Sequence, residues 1–74
     1  MFSYLFVYSI RHHNSSRLYP QSRHAAEISA IMYYGPALWQ SAFEDAEAEA
    51  VLYGTAQLKL VLDSVIIIEA VQVD

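Results

Sequence analysis

The chain contains no cysteine. Disulfides and thiolate metal sites are therefore excluded as supports for a small fold. Glycine and proline occur only twice each, so few positions punctuate the chain, and each one carries weight in the reading that follows. Lysine and arginine together number four. That is too few for a surface whose affinity comes from neutralising phosphates, and direct nucleic-acid binding is not expected.

No apolar run approaches the ~20 residues that a membrane-spanning helix needs. The apolar start, "MFSYLFVYSI", reaches about half that length and has neither a basic leader nor a small-residue cleavage site. A cytoplasmic protein without a membrane span is the expectation. There is no glycine-rich phosphate loop, nucleophile elbow or His-Glu-x-x-His pair. A chain of 74 residues also has little volume for an enclosed pocket. No enzyme activity, catalytic residue or cofactor is expected. His12 and His13 are adjacent, so on an extended segment they point to opposite faces. His24 lies eleven residues further on with no acidic neighbour next to it, and no metal site is expected.

What is present is apolar and acidic. Hydrophobic residues make up 55% of the chain and charged residues only 16%, more apolar material than one small core easily hides. The charge is segregated. Residues 1–40 carry Arg11, Arg17 and Arg23 against Glu27, a net of +2. Residues 41–74 carry Lys59 against Glu44, Asp45, Glu47, Glu49, Asp63, Glu69 and Asp74, a net of −6. Both features point to a partner, either a second copy or a larger protein with a basic or aromatic-lined site.

Residues 2–11 alternate, with Phe2, Tyr4, Phe6, Tyr8 and Ile10 on one face, and predict a strand. Residues 12–21 read as a loop ending after Pro20. Ser22 is a fitting N-cap for a helix over 23–34, with Ala25, Ile28, Ile31 and Met32 as its apolar positions. Gly35 fits the left-handed position after that helix, and Pro36 stops it. Ser41-Ala42-Phe43-Glu44 matches a capping box and predicts a second helix from 42. Gly54 could end that helix and release "LKLVL" as a strand. The preferred reading continues it to about 60, because Phe43, Ala46, Ala50, Tyr53, Gly54, Gln57 and Val61 share a face at helical spacing. Residues 65–73 contain "VIII", apolar on both faces, and predict a central strand covered on both sides.

The expected fold is one small α+β domain over 1–74, β-α-α-β, or β-α-α-β-β if the second helix breaks at Gly54. Two helices would pack on a small sheet that a dimer or a partner strand completes. Glu44, Asp45, Glu49 and Leu52 fall on the outward side of the second helix, and with Trp39 they form the candidate partner-binding set. Tyr33, Tyr34, Trp39 and Phe43 supply aromatic residues of the kind found at binding hot spots, and equally of the kind a core uses. The capping box and the helix dipole already give Ser41, Glu44 and Asp45 structural roles, which concentrates the functional expectation on Glu49 and Leu52.

"YLFVYS" resembles the first strand of gamma-glutamylcyclotransferase-like proteins, but here Ser9-Ile10-Arg11 stands where that family has its glycine-containing ligand loop. In size, acidity and its acidic helix the chain resembles small phage-encoded inhibitors such as anti-CRISPR proteins. That resemblance implies an inhibitor or adaptor that binds a larger protein or complex, including one that itself handles nucleic acid. The alternative expectation is a homo-oligomeric structural subunit.

Overall fold

The computed structural model describes residues 2–74. Its elements run β1 (Tyr4–His12), β2 (Tyr19–Gln21), α1 (Arg23–Tyr34), α2 (Trp39–Tyr53), β3 (Thr55–Val61) and β4 (Ser64–Gln72). The four strands form one antiparallel sheet in the order β2-β1-β4-β3. Both helices pack on the same side of it. This is the α+β arrangement with the strand at 55–61, so the long second helix is corrected. Gly54 adopts the left-handed conformation, φ 86° and ψ −25°, and its amide bonds to the Ala50 carbonyl. The chain passes from helix to strand through this single residue.

Ser22 caps α1 as expected, its hydroxyl accepting from the Ala25 amide at 3.1 Å. Gly35 has the positive φ that was anticipated, 79°, but its ψ of 164° is extended rather than left-handed helical. The second helix starts earlier than its capping box implied. Residues 36–38 already turn, and the Trp39 amide bonds to the Gly35 carbonyl at 3.2 Å. Leu38 takes the N-cap position without a side-chain bond, and Ser41 lies inside the helix. The capping box is therefore not formed.

The core follows from which side chains each layer offers. From the sheet come Tyr8, Ala56, Leu58, Ile66 and Ile68; from the helices come Ala26, Ala30, Phe43, Ala46 and Ala50. Four of the five helical contributions are alanines, so the helices lie close to the sheet and the sheet's large side chains fill the gap. Phe43 is the exception. It is fully buried and stacks on Tyr8, ring centroids 5.7 Å apart. The apolar face expected for α1 is displaced by one position. Ala26 and Ala30 face the sheet, whereas Ile28 and Met32 are exposed. The Tyr34 hydroxyl donates to the Lys59 carbonyl at 3.0 Å and ties the end of α1 to β3.

β4 is central, between β1 and β3, so it finds both neighbours within one chain. Its coverage is one-sided, which corrects the expectation of burial on both faces. Ile66 and Ile68 are buried under the helices, while Val65 and Ile67 are half-buried and Val71 is exposed on the other face. The loop predicted for 12–21 contains β2, a three-residue strand that pairs Ser9 with Pro20.

Candidate protein-interaction site

α2 presents two chemically different sides. Phe43, Ala46 and Ala50 point into the core. Glu44, Asp45, Ala48, Glu49 and Leu52 are all exposed, spaced by three and four residues so that they line one helix face. Leu52 is 75% exposed, an apolar side chain amid carboxylates. The structure thus brings four of the five candidate residues together. Trp39, the fifth, is half-buried and stands apart from them. It packs edge-on against Phe43, ring centroids 6.2 Å apart, and acts first as a core residue at the start of the helix.

The missing capping box changes the weight of these residues. Glu44 accepts a hydrogen bond from the Gln40 side chain at 3.1 Å, an ordinary i,i+4 pair on an exposed surface. Glu44 and Asp45 are in the second turn of α2, beyond the reach of the first-turn dipole. Neither has the structural duty that the sequence assigned to it, so both rejoin Glu49 as free carboxylates. Among the described residues no basic side chain pairs with Glu44, Asp45 or Glu49.

The basic side chain nearest to α2 is already engaged. Arg23 at the start of α1 pairs with Glu27 one turn on, and with Glu47 on α2 at 3.2 Å. Its guanidinium also lies over the Phe43 ring, 5.5 Å from the centroid. Glu27 and Glu47 are only 18% and 17% exposed, against 54% for Arg23. This partly shielded triad clamps the two helices at one end. Tyr8 lies beneath it and is 5% exposed, and its hydroxyl makes no hydrogen bond of good geometry among the described residues, although the Arg23 and Glu47 side chains stand close enough to act on it. Burial pushes the Tyr8 phenol above its ordinary value of 10.0, and the Glu47 carboxylate adds to the rise while Arg23 opposes it. The phenol stays neutral at physiological pH, which suits a buried ring in a core rather than an acid–base group. Neither ion pair was singled out from the sequence: Arg23 and Glu27 stand at i,i+4 spacing, a local signal, whereas Glu47 joins the cluster from 24 residues away and leaves no local signal.

His12, His13 and His24 do not converge. His12 packs against Tyr19, ring centroids 5.8 Å apart. Among the described residues no group of three or more His, Asp or Glu side chains is placed to hold a metal ion. No helix among them is long and apolar enough to cross a membrane. On the sheet face away from the helices, Arg11, His13, Gln57, Lys59, Leu62 and Val65 line a shallow depression of about 240 Å³. Comparison with protein families, curated proteins and solved structures found no match to this chain.

Proposed function

We propose that the chain is a small acidic protein-interaction module, an inhibitor or adaptor that occupies a basic site on a larger protein. One observation carries the reading: Glu44, Asp45, Glu49 and Leu52 share a single exposed helix face, and no cation among the described residues pairs with it. Unpaired carboxylates of one sign raise the encounter rate with a basic groove and set its orientation, while a central apolar side chain supplies burial. A groove evolved for phosphates takes such a face because its affinity is largely electrostatic. An inhibitor of a nucleic-acid-handling protein, in the manner of small phage-encoded inhibitors, is the sharpest form of the proposal.

The test is affinity capture from the native host with the wild-type chain and with the triple variant Glu44→Lys, Asp45→Lys, Glu49→Lys. The wild type retains a specific protein and the variant loses it, with circular dichroism unchanged. Equal capture by both chains refutes the assignment of this face.

A further inference from the structure

We propose that the uncovered face of the sheet is the interface of a two-fold homodimer in which Glu69 of each copy docks between Arg11 and Lys59 of the other. The proposal is independent of the acidic face of α2, which lies on the opposite side of the sheet.

Both helices cover one side of the sheet, so the other side is whatever the alternate residues make it. The register arranges them in rows across β1, β4 and β3. Arg11, Val65 and Lys59 stand side by side in one row; Ser9, Ile67 and Gln57 form the next; Val7, Glu69 and Thr55 the third; Leu5 and Val71 the fourth. Leu5, Val7 and Val71 are exposed and Val65 and Ile67 half-buried. Apolar side chains therefore occupy one half of β1 and most of β4 on this face, interrupted by Ser9 and Glu69, and no helix among the described residues covers them; such a face on a sheet marks a contact surface.

The charges on this face are few and ordered. The two cations share one row, and the carboxylate sits two rows away. Rows are about 7 Å apart along the strands, so the separation is about 13 Å. The Ile67 row lies midway. A two-fold axis in the plane of the interface, perpendicular to the strands and passing over Ile67, lays the Val65 row of each copy on the Glu69 row of the other. Each Glu69 then arrives opposite Val65, with Arg11 on one side and Lys59 on the other, each one strand spacing of about 4.8 Å away. That is the position of the shallow depression, which Arg11, Lys59 and Val65 line. The same operation places Ile67 against Ile67 at the axis, brings Val71 beside the exposed Leu62 at the hairpin end of the partner and sets Leu5 opposite the partner's His13. An isologous contact requires a face that is complementary to itself, and this one is so in charge and in apolar content.

The sheets would stack about 10 Å apart, aligned within about 30°. Two strands of nine residues and one of seven present roughly 400 Å² in projection per copy, and two copies about 800 Å². That is below the ~1,200 Å² at which stable specific interfaces begin, so the dimer is weak, reversible and concentration-dependent. The helices, with their acidic faces, lie on the two outer sides.

Analytical ultracentrifugation at about 100 µM tests the state. A species near twice the 8.4 kDa of one chain is expected. Charge exchange tests the geometry. Glu69→Arg alone, and Arg11→Glu with Lys59→Glu alone, each give a monomer. Mixing the two variants restores a dimer of one of each, because every cationic row again meets a carboxylate. Circular dichroism confirms that both variants remain folded, as expected for side chains outside the core. A wild-type monomer at this concentration overturns the proposal. So does a dimer that survives Glu69→Arg, which would place the contact at the outer edge of β3 instead, and so does failure of the mixture to pair. Charge reversal on α2 leaves the dimer unchanged, which separates this interface from the partner-binding face.

Discussion

Two glycines end the two helices in different backbone conformations, and substituting them tests how each end is made. Gly54 is left-handed helical, φ 86° and ψ −25°. Gly35 has φ 79° with ψ 164°. A β-carbon built on either meets nothing within 4 Å, so backbone preference alone decides the effect. An alanine held left-handed is disfavoured by about 1–2 kcal/mol. Replacing glycine returns about 0.4–1 kcal/mol by restricting the unfolded chain. Gly54→Ala should therefore destabilise by about 1 kcal/mol, lowering the thermal midpoint of a domain this size by about 4–8 °C. Gly54→Asn should be milder, since asparagine tolerates the left-handed region. Gly35 lies in the mirror-extended region that is essentially glycine-only, where strain is about 1–3 kcal/mol. There Asn should give no relief over Ala. Thermal and urea unfolding followed by circular dichroism measure all four variants. Equal losses for Ala and Asn at Gly54, or relief by Asn at Gly35, would refute the reasoning. A gain in stability from Gly54→Ala would mean that α2 continues through residue 54, contrary to the strand found there.

The two serines that sequence reading treated alike should behave differently. Ser22→Ala removes a formed cap and should destabilise by about 0.5–2 kcal/mol, whereas Ser41→Ala, inside the helix and without a capping bond, should fall within about 0.5 kcal/mol of wild type in urea unfolding. Tyr8→Phe keeps the stack on Phe43 and removes an unpartnered hydroxyl, so stability near neutral pH should be unchanged or higher by up to about 1 kcal/mol. Because burial raises the folded-state pKa of Tyr8 above its unfolded value of 10.0, its contribution is intact below pH 10 and is lost as pH rises through the raised folded value. Wild type should lose more stability than Tyr8→Phe across that alkaline window, and parallel unfolding curves would exclude the assignment.

The legible parts of the fold were those with local signals. β1 declares itself by a period of two, and α1 by Ser22 at one end and Gly35-Pro36 at the other. The end of α2 is not legible by spacing, because Tyr53, Gln57 and Val61 prolong a helical period across Gly54. In the same segment Ala56, Leu58 and Leu60 carry a strand period that points into the core. The left-handed Gly54 decides between the two periods. β2 had no signal, being three residues with a proline at its centre. The face of α1 was displaced because hydrophobicity favours Ile28 and Met32, whereas the gap above the sheet admits alanine. "VIII" told truthfully that both faces of β4 are apolar, but periodicity does not say whether a layer covers both. The outward set on α2 was readable from a helical wheel. Its freedom from capping duty was not, since that depended on how residues 36–38 turn.

The single-residue passage at Gly54 also constrains how this chain can vary over evolutionary time. One residue added or removed there would exchange the two faces of β3, turning Ala56, Leu58 and Leu60 outward and Thr55, Gln57 and Lys59 toward the helices. The two-residue turn between β3 and β4 is similarly intolerant. The segment 13–18 joins β1 to β2 with mostly exposed side chains, and its length can change without altering any register. Natural relatives of this protein should therefore differ in length between β1 and β2 and keep the distance from α2 to β4 fixed.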